Sequence, residues 1–346
     1  MNCCQKSEKE NKSSCCAPKK KLNKNLVVSL LIILPALMSF FMPFLVPYRE
    51  AVFSYISSIY WAILLGFILG GVIEYYVPKQ YVSNVMAGSK GKTILNAVSL
   101  GFVMTFCCHG ILALAIQLYK KGASTASVVA FLMASPWSNI SITILLISLF
   151  GFYKALYIII SALIIALITG YIFQILEKKR WVESNQNTLA YDVNLSIISD
   201  IKERVKAHKF GKADFKGIFS GAISLADMTL WWILIGIGLA SLLGAYIPAH
   251  LFHKFMGPSF TGMLVTLAVA TVIEVCSEGT APLAFEIFRQ TGALGNSFVF
   301  LMAGVATDYT EIGLIWNNIG KKTAVWLPLV AVPQIILFGV IANIIF

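Results

Sequence analysis

The chain is 346 residues long, 58% hydrophobic and 12% charged, with several apolar runs of 20 residues or more, a composition that excludes a soluble globular domain and marks an integral membrane protein. A formal net charge of +11 would suggest nucleic acid as the partner of a soluble chain, but here Lys and Arg gather in polar loops, where they set membrane orientation instead. The seven cysteines exclude a secreted disulfide framework, because all but Cys276 come as adjacent pairs and adjacent cysteines rarely bridge one another.

In chain order, residues 1–25 read as a disordered, basic cytoplasmic tail. Its pairs Cys3-Cys4 and Cys15-Cys16 either capture a soft metal or metalloid ion and hand it to the membrane, or are incidental thiols on a solvated tail. An apolar run over 26–47 lacks an Ala-x-Ala cleavage site and reads as an extra, uncleaved span. Spans are then expected over 53–77, 124–150 and 151–176, making a first repeat of 53–176. A basic cytoplasmic loop, 177–216, follows and holds no catalytic spacing. The second repeat, 217–346, carries spans over 217–247, 293–318 and 323–346. Two further segments, 92–119 and 262–289, are apolar but broken by glycine. His208, His250 and His253 fall in expected loops. No P-loop, dinucleotide fingerprint or zinc motif is present, so the chain reads as no enzyme and needs no cofactor.

Sliding the chain against itself by 169 residues aligns 107–134 with 276–303, with eight of 28 positions identical, including the Cys, the Gly and a closing Phe-Leu-Met-Ala. Upstream, 61–78 matches 231–248 at an offset of 170. The protein is therefore read as an internal duplication. Charge decides how the halves are oriented. If both broken segments crossed the membrane, the 27 Lys and Arg would divide 14 to 13, which is no bias. If both fold back as hairpins, 23 fall on the side of the tail and only Arg49, Lys154, Lys254 and Arg289 on the other, as the positive-inside rule prefers. Each half then has three spans plus a broken or re-entrant helical hairpin. An odd number of crossings makes the two repeats inverted, the architecture of secondary transporters. The fold class expected is all-α polytopic, with the amino terminus cytoplasmic.

Gly110 and Gly279 sit near the centres of the broken segments, so the tips read Cys107-Cys108-His109-Gly110 and Cys276-Ser277-Glu278-Gly279. Irregular backbone at that depth is tolerated where it lines a cavity. Thiolates there would select soft, thiophilic species, although membrane cysteines also serve as small packing residues. A carboxylate at the bilayer centre costs roughly 2.5–3.5 kcal/mol, which makes Glu278 and Asp308 candidates for proton coupling. Glu274, Glu286 and Glu311 are weaker candidates. Asn139 and Ser138 occupy the first-half positions of Asp308 and Thr307, beside Pro136 and Gly304. They either line the same cavity or glue helices together. His109 alone does not make a metal site.

The stretch from Glu274 to Ala324, EVCSEGTAPLAFEIFRQTGALGNSFVFLMAGVATDYTEIGLIWNNIGKKTA, together with FLMASPWSN and the paired Cys-x-x-Gly elements, resembles the predicted permease family that includes YraQ and the organoarsenical efflux permease ArsP. The resemblance runs from about Ser54 to the carboxyl end. It implies a multi-pass permease of the cytoplasmic membrane and, in the arsenical branch, efflux of trivalent organoarsenicals such as methylarsenite with cysteines as ligands. Family members often carry Cys-Ser-Cys-Gly in the first element; here His109 stands where the second cysteine would be, while Cys276 and Gly279 fit the second element. Two alternatives stay open: a permease for another soft or sulfur-containing solute, and a membrane thiol oxidoreductase pairing Cys107 with Cys276. The partners expected are a small thiophilic substrate and the lipid bilayer, with no nucleic acid and with a homo-oligomer left open.

Overall fold

The computed structural model describes residues 24–76, 92–103, 108–120, 122–138, 140–185, 211–273 and 277–346. Every regular element among them is helical, as a bilayer demands, since a helix satisfies its backbone N–H and C=O groups within its own segment. α1 (Lys24–Met38) and a 3-10 turn (Pro43–Leu45) lead into α2 (Val46–Tyr76). The first repeat continues with α3 (Lys92–Val103), α4 (Cys108–Lys120), α5 (Thr125–Ser138), α6 (Ile140–Phe150) and α7 (Phe152–Lys178). The second comprises α8 (Lys212–Tyr246), α9 (Ala249–Met256), α10 (Phe260–Val272), α11 (Ser277–Thr291), α12 (Leu294–Thr307), α13 (Tyr309–Asn318) and α14 (Lys321–Ile345).

The duplication is visible in these boundaries. α4, α5, α6 and α7 begin at residues 108, 125, 140 and 152, and α11, α12, α13 and α14 each begin 169 residues later. Among the described residues five stretches are long and apolar enough to cross a membrane, including Pro43–Val72, Phe152–Lys178 and Lys321–Ile345. Two spans are interrupted, the second of them, Leu294–Asn318, being one of these five. The Thr125–Trp137 and Ile140–Phe150 helices meet at a 46° bend, and in the second half α12 gives way to α13 at Asp308. The extra span expected over 26–47 is a 15-residue helix, about 22 Å long at 1.5 Å per residue, followed by the 3-10 turn. His250 and His253, expected in a loop, lie on α9, a short amphipathic helix set at 103° to α10. Eight residues give too weak a periodicity to read from sequence.

Equivalent helices of the two repeats pack antiparallel. At the far end of α2, Gly71 sits against the Ile218 carbonyl of α8, where a methyl group would come within 2.6 Å. At the near end, Phe44 stacks on Tyr246 with ring centroids 4.7 Å apart, and the Tyr246 hydroxyl donates to the Phe44 carbonyl at 2.9 Å. The start of α2 therefore meets the end of α8. The same holds for α7 and α14: Tyr157 near the start of α7 meets Phe346 (5.6 Å), while Trp181 beyond its end stacks on Trp326 (5.7 Å).

Both broken segments fold back. In the second half, Asn296 at the start of α12 donates to the Met256 and Gly257 carbonyls, both at 2.9 Å, just before α10 begins. The far end of α10 reaches the far end of α12, where the Thr271 and Thr307 hydroxyls are 2.8 Å apart. α10 thus runs alongside α12, and α11 must return to α12's start, because only Gly292 and Ala293 separate them. In the first half, Ile94 and Ala130 meet at Gly170, and Gly101 meets Ser135. α3 therefore runs alongside α5 and α4 returns. Each arm is 12 to 15 residues, or about 18–22 Å, which does not cross a ~30 Å hydrocarbon core.

These directions sort the charges. Lys154 lies over the Phe288 ring at 5.4 Å, Arg289 packs against Gly244, Lys254 is on α9, and Arg49 starts α2 above Phe40. All four occupy one end of the bundle. The other end carries Lys179 over Trp181, Lys321 over Trp316, Lys322 whose amide donates to Glu183, Lys120 beside the Asn185-bound Tyr119, and Lys216, which precedes Gly217 against Tyr75 at the end of α2.

Candidate functional site

The second hairpin places the start of α11 against the middle of α8. Gly236 and Gly279 touch so closely that a methyl group on Gly236 would overlap the Gly279 carbonyl oxygen. Glycine is needed there because two backbones must meet without intervening side chains. Ser277 and Glu278 form the first turn of α11 and are both buried. The Ser277 hydroxyl donates to Glu278 Oε2 at 3.1 Å, and the helix amino terminus further favours a carboxylate there.

The break between α12 and α13 lies beside this tip. Thr307, the last residue of α12, donates its hydroxyl to the Ala303 carbonyl at 2.8 Å and lies 2.8 Å from Thr271 at the end of the first hairpin arm. Asp308 is buried, and its Oδ1 accepts from the Glu311 amide at 3.2 Å. That is a helix cap: Asp308 starts α13 inside the protein, and the position tolerates a buried acid partly for that reason. The structure thus places Thr307 against Thr271 on one hairpin arm, Ser277, Glu278 and Gly279 at the start of the other arm, and Asp308 at the break that follows Thr307.

In the first half, Cys108, His109 and Gly110 form the first turn of α4, and Ser138 ends α5 at its break. Their backbone positions reproduce those of Ser277, Glu278, Gly279 and Thr307. Cys107, Asn139 and Cys276 lie outside the described residues, as do Glu274 and the tail cysteines Cys3, Cys4, Cys15 and Cys16. Among the described residues no three His, Cys, Asp or Glu side chains converge as metal ligands.

A second polar cluster centres on Glu286. Glu286 is fully buried on α11 and accepts from the Tyr55 hydroxyl of α2, from Arg289 Nε at 2.9 Å and Nη2 at 2.8 Å, and from Gln290 Nε2 at 2.7 Å. Gly244 of α8 leaves room for the carboxylate. This clasp ties the second hairpin to the first repeat. The Glu286 and Arg289 pairing is legible at i, i+3 on a helix, but nothing local points to Tyr55.

Comparison with known proteins agrees with the architecture. The chain is 24% identical to the UPF0718 protein YcgR of Bacillus subtilis over 283 residues, 80% of this chain and 90% of that one. It is 22% identical over 266 residues, 75% of this chain and 83% of the other, to a Streptococcus mutans protein described as "Putative two-component membrane permease complex subunit". A third relative, UPF0718 protein MJ0584 of Methanocaldococcus jannaschii, is 21% identical over 82% of this chain and 91% of its own length. No solved structure matches. The ArsP_1 family, described as a predicted permease, matches residues 50–344, and this multi-pass membrane protein belongs to it.

Proposed function

We propose that the protein is a secondary-type permease of the cytoplasmic membrane that exports a thiophilic small molecule, a trivalent organoarsenical such as methylarsenite, by alternating access of two inverted halves. The observation that carries the reading is the pair of hairpins, whose first arms, α3 and α10, run alongside the interrupted helices α5 and α12. Broken helices meeting at mid-depth are how such transporters build a solute site. Antiparallel packing of α2 on α8 and of α7 on α14 supports the inversion. Cys107, Cys108 and Cys276 are the soft ligands. His109, Gly110, Ser277, Gly279, Ser138, Asn139 and Thr307 line the path around them.

Proton antiport is part of the proposal, with Glu278 the better placed carrier because Asp308 already caps α13. The end bearing Arg49, Lys154, Lys254 and Arg289 faces outward. The tail cysteines act as a capture site ahead of the membrane site. The relative described as a complex subunit makes a second membrane component a partner to seek by co-purification.

The test is accumulation of methylarsenite in everted membrane vesicles by the parent protein and by Cys107→Ser, Cys108→Ser and Cys276→Ser. Accumulation by the parent, lost in these three variants and retained when the tail cysteines are replaced, is the expected result. A parent protein that accumulates none overturns the arsenical assignment and leaves the permease architecture to be probed with other soft or sulfur-bearing solutes.

A further inference from the structure

At the Arg289 end of the second repeat lies a cavity of about 300 Å³, walled by the end of α8 and by α9, α10, α11 and α12. Every residue of its wall is apolar, including Leu243, Phe252, Val269, Ile273 and Ile287, so it offers a polar solute no hydrogen bond. Its mouth is open. Leu251 and Phe255 of α9 line it and are themselves 36% and 50% exposed, toward the lipid that surrounds a membrane protein. An apolar cavity of ~150 Å³ stays dry and takes up benzene; twice that volume accommodates a chain on the order of ten carbons.

Outside the wall the character reverses. Lys254 lies over the ring of Phe255 at the mouth, 5.4 Å from its centroid, His250 and His253 stand exposed on the same outer face of α9, and the whole stretch 247–273 contains no Asp or Glu. Arg289 nearby is already matched by Glu286. α9 turns through 103° from α10 at the end of the bundle, which sets it along the surface at headgroup depth, where amphipathic helices with basic faces bind.

We propose that this cleft is a binding site for one acyl chain of an anionic phospholipid, with the headgroup phosphate held by Lys254 and the imidazoles of His250 and His253. The apolar wall takes the chain and the acid-free rim selects the charge. Because α11 forms one wall, the bound lipid rests directly against the second hairpin.

The full-length protein in detergent is to be unfolded by heat with dioleoylphosphatidylglycerol or with dioleoylphosphatidylcholine. Phosphatidylglycerol is expected to raise the midpoint at concentrations at least tenfold lower than phosphatidylcholine. A variant carrying both His253→Gln and Lys254→Gln should lose that tenfold preference, and Leu251→Trp, which plugs the mouth from an exposed position, should weaken both lipids. Phe255→Trp replaces it if that variant does not fold. Equal effects of the two lipids on the parent overturn the proposal, as does a preference unchanged in the rim variant or stabilisation unchanged in the plugged one. Equal stabilisation by n-decane would make the cleft a site for apolar solutes and also overturn it.

Discussion

Glu286 has no exposure to solvent, yet both its oxygens are occupied, by Tyr55, Arg289 and Gln290. A buried carboxylate persists only when paired and hydrogen-bonded in this way. Removing a partner is expected to cost more than the pair contributes, because the remaining charge is stranded. Arg289→Ala should therefore destabilise the protein by about 3 kcal/mol, and Tyr55→Phe by about 1.5 kcal/mol, the upper range for losing a bond to a neutral partner and the lower for a charged one. Denaturant unfolding in micelles measures both. A Tyr55→Phe effect near zero would mean that α2 and α11 are held by packing alone. Which residues mattered was only partly legible. Glu278 and Gly279 were marked by a glycine break in an apolar run, and the structure buries both. Tyr55 gave no signal, since its partner is 231 positions away and a lone tyrosine in an apolar helix looks like any packing residue. Asp308 was legible as a buried acid, but its capping role depends on where α13 begins.

At the scale of helices, the clearest long-range device is the cap on α14. Glu183, beyond the end of α7, accepts from the Lys322 and Thr323 amides and from the Thr323 hydroxyl, each at 2.9 Å. It thereby satisfies donors that the helix cannot satisfy itself. Its own carbonyl accepts from Thr125 at 2.5 Å, and Asn185 donates to the Ala123 carbonyl at 2.9 Å. Residues 183–185 thus join the start of α5 to the start of α14, one from each repeat. Partial burial pushes the Glu183 carboxyl up, but the amides of Lys322 and Thr323 outweigh it and hold it below its ordinary value of 4.5. A depressed carboxylate contributes stability above the unfolded value and loses it as pH falls through the folded one. Glu183→Ala is expected to cost about 1 kcal/mol at neutral pH, with the gap from the parent closing below pH 4.5. A gap that persists in acid would assign the loss to packing. The helices themselves were legible because lipid requires apolar, self-satisfied segments, and the hairpins because duplication repeated their glycines. α9 was not, being too short to carry a period.

The whole molecule shows the logic of the duplication. α2 packs antiparallel on α8 and α7 on α14, the arrangement that the proposed inversion of the two halves requires. The charge counts lead to the expectation of inverted halves, and the antiparallel contacts of α2 with α8 are consistent with it. Single cysteines at Lys154, Lys254 and Lys322, in a protein stripped of its native ones, should label from opposite sides: the first two together, the third alone. Labelling of Lys154 and Lys322 positions from the same side would break the arrangement. If the halves are inverted as proposed, the bundle is, in its packing, nearly indifferent to which way up it stands. Among the described residues the two ends differ in their cations, Arg49, Lys154, Lys254 and Arg289 at one and Lys120, the 178–180 run, Lys216 and the 321–322 pair at the other. The direction of traffic would then reside less in the solute path than in those loop charges, and shifting a handful of lysines across the bundle would turn an exporter over in the membrane and make it an importer with every ligand in place.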